Sequence, residues 1–199
     1  IELPDSEMPP KDMIKLGLAY YKKFPRNAVI KVPMDPTNPQ KAFEVIYALG
    51  QKKARVNATL GLTSGQLIGA AEALRHNRAT GDNYVSLFWG RRDEAQKQIV
   101  KELVKKGMKK TEALQKSPDA ATSLLIVLKY LETHNLSTQV IIGSIRSINQ
   151  IEKAFSLGAH IVTIPPHLIS EWMYTERGVK TVDEFNKAYR DVKKNITLI

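Results

Sequence analysis

Lys31 lies inside Ala-Val-Ile-Lys-Val-Pro, flanked on both sides by β-branched apolar residues. If the side chain points into a core, desolvation favours the neutral amine and makes it a nucleophile toward a carbonyl. If it points the other way it merely snorkels past a helix, and spacing alone leaves that commoner reading open. Asn57 and Thr59 alternate on one face of a second apolar run and can hold a water or a substrate hydroxyl, or serve only the strand. Glu2 stands near the end of a further extended segment, where a carboxylate can move protons through a bound water.

A second group carries charge rather than nucleophilicity. Arg91 follows Val-Ser-Leu-Phe-Trp-Gly, and Ser144 and Arg146 follow Val-Ile-Ile-Gly. Two guanidinium forks and a hydroxyl at neighbouring strand ends would grip a phosphate in bidentate geometry. Singly, each arginine reads as a surface charge, so the signal lies in the constellation; Arg92 and Asp93 are a candidate pair of their own. Phe88 and Trp89 either wall a pocket or pack. His76, His134, His160 and His167 have no metal-ligand spacing, and no metal site is expected.

These residues need elements to position them. Apolar runs with strand character occupy 28–33, 54–60, 83–88, 138–143 and 160–164, and residues 1–4 read as the tail of a sixth strand. Helical periodicity marks 9–23, 38–50, 64–75, 94–106, 119–133, 148–157, 166–174 and 180–194, and a basic helical insertion spans about 107–118. Thr63 and Asp119 are expected to cap helices at their starts, and Gly50 and Gly158 to close them. Strands alternating with helices imply an α/β fold with parallel pairing. No glycine-rich dinucleotide, phosphate-loop or nucleophile-elbow pattern occurs, which favours a β/α barrel over an open doubly wound sheet.

Composition narrows the field. A chain of 199 residues fits one domain, 1–199. No apolar run approaches the roughly 18 residues that span a bilayer, so no membrane partner is expected. The absence of cysteine removes disulfides, thiolate metal sites and cysteine nucleophiles, and makes the cytoplasm the expected location. A net charge of +10 raises nucleic acid as a partner. Against it, Lys105, Lys106, Lys109 and Lys110 stand beside Glu102 and Glu112 as on a solvated helical face, so nucleic acid is not the expected ligand. The opening Ile-Glu-Leu-Pro-Asp lacks the basic start and apolar stretch of a signal peptide, and the native N-terminus is expected to lie upstream.

Taken in order, the segments resemble the transaldolase family, including the small transaldolases and the fructose-6-phosphate aldolases. Val-Ile-Lys-Val-Pro-Met resembles the family's lysine strand, and Asn57-Ala-Thr-Leu with Ser64-Gly-Gln66 resembles its next strand and helix start. Val85-Ser-Leu-Phe-Trp-Gly-Arg91 and Gly143-Ser-Ile-Arg146 resemble its two phosphate-binding strands, and Gly158-Ala-His-Ile-Val-Thr-Ile-Pro-Pro its last. The resemblance implies a TIM-type barrel and transfer of a dihydroxyacetone unit between sugar phosphates, without metal or organic cofactor. It implies a Schiff base on Lys31, proton handling by Glu2 and Thr59, and substrate contacts from Asn57, Phe88, Arg91, Ser144 and Arg146.

Phe88 stands where the related aldolases have tyrosine, favouring transfer over simple cleavage; cleavage, or a family member retained only for binding, are the alternatives. Leu87 and Trp89 replace the family's proline and valine. A complete family barrel carries two further strand–helix units before Glu2, with an aspartate on the first and a Thr-Thr-Asn-Pro motif on the second. The chain is therefore expected to hold about six of the eight units of a barrel, the rest coming from an N-terminal complement or a homo-oligomer. The truncated chain taken alone is expected to be impaired.

Overall fold

The computed structural model describes residues 1–3, 7–77 and 83–193. The chain forms two compact units, Ile1–Ile164 and Pro165–Ile199. In the first, the order is α1 (Pro10–Lys23), β1 (Ile30–Pro33), α2 (Pro39–Gln51), β2 (Val56–Gly61), α3 (Ser64–Ala73), β3 (Tyr84–Phe88), α4 (Trp89–Lys105), α5 (Lys110–Lys116), α6 (Ala120–Thr133), β4 (Gln139–Gly143), α7 (Ile148–Ser156) and β5 (Ile161–Val162). The second holds α8 (Pro166–Met173) and α9 (Glu176–Lys193). On α9 the apolar residues Val179, Val182, Phe185, Tyr189 and Val192 remain exposed.

The five strands form one parallel sheet in chain order, β1-β2-β3-β4-β5. Sequential order without reversal means that every crossover runs to the same side, the winding of a barrel and not of a doubly wound sheet. The fold is α/β, an incomplete TIM-type barrel. Residues 1–3 extend it by a single parallel bridge between Glu2 and Lys31: the Leu3 amide donates to the Lys31 carbonyl at 2.9 Å, and the Lys31 amide to that of Ile1 at 2.8 Å. Pro4, expected in that strand, and Lys194, expected in the last helix, lie outside the described residues.

Side-chain alternation divides the sheet into two chemistries. Ile30, Val32, Val56, Ala58, Val85, Leu87, Val140 and Ile142 are fully buried. On the opposite face the same strands carry Lys31, Asn57, Thr59, Ser86 and Phe88, brought side by side by the register that pairs Lys31 with Asn57 and Pro33 with Thr59. The buried set forms one core with Met13, Val45, Ile46, Leu49, Leu67, Leu124, Val127 and Ile151 from the helices.

Element limits follow the sequence reading closely. Thr63 and Gln66 form a reciprocal capping box at the start of α3, Asp119 caps α6 by accepting from the Thr122 amide, and Gly158 leaves α7 at φ +92°. Gly50 does not close α2: it lies inside the last turn, packed against Asn77, and Lys53 takes the left-handed conformation at φ +59°. α4 begins at Trp89, five residues before its periodic pattern, because Phe88 passes from strand to helix with no side-chain cap to mark the change. The basic insertion contains the short helix α5.

The β2 register shifts between Ala58 and Gly61, with Leu60 at φ +65°. A Cβ at Gly61 would stand 2.8 Å from the Ser86 carbonyl oxygen and 3.1 Å from Leu67. Gly61→Ala is therefore expected to destabilise the fold by about 1–3 kcal/mol, the usual cost of overpacking. In urea titration the midpoint should fall with the slope unchanged; an unmoved midpoint would show that β2 yields freely at this point.

Candidate functional site

The polar residues gather where the sheet's own geometry puts them. The Lys31 Nζ donates to Glu2 Oε2 at 3.1 Å, with the two side chains 34% and 49% exposed. Across the ladder, Asn57 Oδ1 accepts from Ser86 Oγ at 2.7 Å. Thr59 is fully buried, and among the described residues its Oγ1 has no hydrogen-bond partner. A buried hydroxyl left without a partner is costly.

Beyond the C-terminal ends of β1–β3 lies a cavity of about 310 Å³ lined by Pro33, Met34, Asp35, Pro36, Leu60, Leu62, Gln66, Phe88 and Arg91. Arg91 lies over the Phe88 ring at 5.3 Å, near enough for a cation–π contact. Lys31, Asn57, Thr59, Ser144 and Arg146 do not line this cavity. The structure thus joins Glu2 with Lys31, Asn57 with Ser86, and Phe88 with Arg91.

Ser144 and Arg146 are placed by β4 and the start of α4. Ser144 has φ +58°, and its carbonyl accepts from the Gly90 amide at 3.0 Å. Only glycine fits at 90, since a Cβ there would meet that carbonyl oxygen at 2.5 Å and Arg146 Nε at 2.8 Å. Arg146 then forms a two-pronged ion pair with Glu94: Nη1 donates to Oε1, and Nη2 to Oε2 at 3.1 Å. The hydrogen bond from Arg146 holds the Glu94 carboxyl below its ordinary value, against partial desolvation, and the charges of Arg146, Arg91 and Lys97 add to it.

Arg92 does not reproduce the exposed role of its neighbour. It is 6% exposed and donates to the Pro118 carbonyl, with burial pulling its pKa down against the charges of Asp119 and Asp93. Asp93, its expected partner, instead accepts from the Ala120 amide at 3.2 Å and from Gln150 Nε2 at 3.4 Å. Gln150 in turn accepts from the Arg146 amide at 2.8 Å, so the start of α4, the loop after β4 and the start of α7 share one network.

Three contributors escape a reading of single residues. Ser86 carries a signal in strand alternation, two positions before Phe88. Glu94 and Gln150 carry none, because their partners are distant in sequence or reached through backbone. Of the histidines, His160 Nδ1 accepts from the Val140 amide at 3.1 Å and His134 rests its ring against Tyr130. Among the described residues no group of three or more histidine, cysteine or acidic side chains is placed to hold a metal ion, and no helix is long and apolar enough to cross a membrane.

A singly wound parallel sheet, with a lysine–carboxylate pair on its barrel-facing side and arginines just beyond the C-terminal ends of β3 and β4, defines the class of β/α-barrel proteins. Residues 5–197 match the family model described as transaldolase/fructose-6-phosphate aldolase, and the chain belongs to this family. It is 29% identical over 157 residues to a probable transaldolase of Pelotomaculum thermopropionicum, covering 77% of this chain and 58% of that protein. It is 27% identical over 161 residues to a probable transaldolase 2 of Listeria monocytogenes, covering 79% and 59%. A probable transaldolase of Symbiobacterium thermophilum is 26% identical over 185 residues, covering 93% and 70%. The chain spans less than two thirds of the length of the first two relatives.

The Glu94 shift gives stability a pH dependence of defined sign. Because its folded pKa is lowered, the stabilisation is present above the ordinary glutamate value of 4.5 and is lost as pH falls through the folded value. Thermal melts of the wild type and Glu94→Gln should differ at pH 7, and the gap should close as pH falls toward 3. A gap constant with pH would sever the stability contribution from the carboxylate's charge.

Proposed function

We propose that the chain carries the site of a transaldolase-like transfer of a dihydroxyacetone unit from a ketose phosphate to an aldose phosphate. The observation that carries this reading is the Lys31–Glu2 pair at 3.1 Å, on the barrel-facing side of the sheet beside the Asn57–Ser86 pair. Lys31 Nζ attacks the ketose carbonyl, and loss of water gives an iminium. The bond between the α- and β-carbons then breaks: its electron pair forms the carbon–carbon double bond of an enamine on Lys31 as the C=N pair moves to nitrogen, and the departing fragment leaves as an aldose. The proton lost from the hydroxyl of the departing fragment passes to Glu2 through a water held by Thr59. The enamine then attacks the acceptor aldehyde, and hydrolysis frees the lysine.

In this reading Asn57 and Ser86 hold substrate hydroxyls, Phe88 walls the cavity, and Arg91, Ser144 and Arg146 bind the phosphate. No cofactor takes part. The partners are sugar phosphates together with further β/α units, from an N-terminal complement or a second copy, that complete the barrel; the proposed location is the cytoplasm.

The test is incubation with fructose 6-phosphate and sodium borohydride, followed by intact-mass spectrometry and peptide mapping. A reduced adduct on the peptide containing Lys31, absent from Lys31→Ala, is the expected result; an adduct elsewhere, or the same adduct in Lys31→Ala, would refute the assignment. Turnover only in the presence of an acceptor aldose distinguishes transfer from simple cleavage.

A further inference from the structure

We infer that Glu94 is an internal counter-ion of the phosphate subsite, and that a ligand phosphate must displace its carboxylate from Arg146 before binding there. The inference deepens the reading above and rests on its assignment of Arg146 to phosphate. Both terminal nitrogens of the Arg146 guanidinium are committed to Glu94, while Nε lies over Gly90, where even one added carbon would stand 2.8 Å away. The forked edge that would grip two phosphate oxygens is therefore already holding two carboxylate oxygens. Arg91 and Lys97 also act on Glu94 through their charges, so one carboxylate serves several cations of this corner.

The pair is built to open. Arg146 and Glu94 are 49% and 51% exposed, on side chains long enough to separate, and an exposed ion pair of this kind is weak. Arg92 next door has the opposite design, buried and tied to the Pro118 carbonyl. Exchange at Arg146 also discriminates by charge. Replacing a singly charged carboxylate by another gains nothing electrostatically, whereas a phosphate dianion brings additional charge to the same fork. Glu94 thus keeps Arg146 extended over Gly90 in the free protein and biases the subsite toward phosphate and against carboxylate ligands.

The experiment is isothermal titration of the wild type, Glu94→Gln, Glu94→Ala and Arg146→Ala with inorganic phosphate and, separately, with acetate. Removing the competing charge should tighten phosphate binding roughly three- to tenfold in both Glu94 variants and narrow the preference for phosphate over acetate. Arg146→Ala should abolish the gain when combined with Glu94→Gln. Circular dichroism of each variant establishes that it is folded. Unchanged or weaker phosphate binding in the Glu94 variants, or no phosphate binding in the wild type and the variants alike, would overturn the inference. The lysine is tested apart from it, by borohydride trapping of the wild type with dihydroxyacetone, which has no phosphate, so either idea can fall without the other.

Discussion

The two-residue period of the parallel strands is the constraint on which the rest of this structure depends. Each strand has one set of side chains that must be apolar, because helices seal it from water, and a second set released from that demand. In β1, β2 and β3 the second set is Lys31; Asn57 and Thr59; Ser86 and Phe88. Parallel pairing aligns these sets across the ladder, so residues far apart in the chain become neighbours. The Asn57–Ser86 and Lys31–Glu2 contacts each close a separation of 29 residues with no loop of their own. A shift of one residue in any strand would turn its polar set into the helix layer and its valines and isoleucines toward the barrel axis. Register is therefore held by burial on one face, and the site on the other face inherits its geometry.

What the strands cannot do is aim groups beyond their ends, and there the loops take over by close approach. Gly90 allows the Ser144 carbonyl and the Arg146 side chain to lie directly against the first turn of α4. Asp93 ties α4 to the first residue of α6 and to Gln150 of α7, and Gln150 holds the Arg146 amide in the loop after β4. The left-handed conformations of Leu60 and Ser144 both fall at strand ends next to candidate site residues. A non-glycine residue in that region costs about 1–2 kcal/mol, and the surrounding packing must supply it.

The strands, the helices and the caps at Thr63 and Asp119 were legible in the sequence because each is a short-range signal: alternation, periodicity, or an oxygen three residues from an amide. The resemblance located Lys31, Asn57, Thr59, Phe88, Arg91, Ser144 and Arg146 through motifs that run along the strands. Less legible were features decided by a partner elsewhere. The left-handed residue after α2 is Lys53 rather than Gly50, which lies inside the last turn against the Asn77 side chain. The early start of α4 was hidden by the absence of a capping side chain, and Glu94 by the 52 residues that separate it from Arg146. Tertiary context overrides a local signal wherever a side chain's partner comes from another β/α unit.

Arg91 and Arg92 show the same point at the finest scale. Adjacent in sequence and identical in chemistry, they lie about 100° apart around α4, since an α-helix turns once per 3.6 residues. That rotation leaves Arg91 exposed over Phe88 at the cavity and buries Arg92, which donates to the Pro118 carbonyl and feels the charges of Asp119 and Asp93. The net charge of +10 is consequently a poor guide to where anions are met. At the corner formed by Arg91, Lys97 and Arg146 a carboxylate already stands among the cations. The local field there depends on whether Glu94 remains paired, so the electrostatics of the candidate site are set by one exposed ion pair more than by the basic composition of the chain.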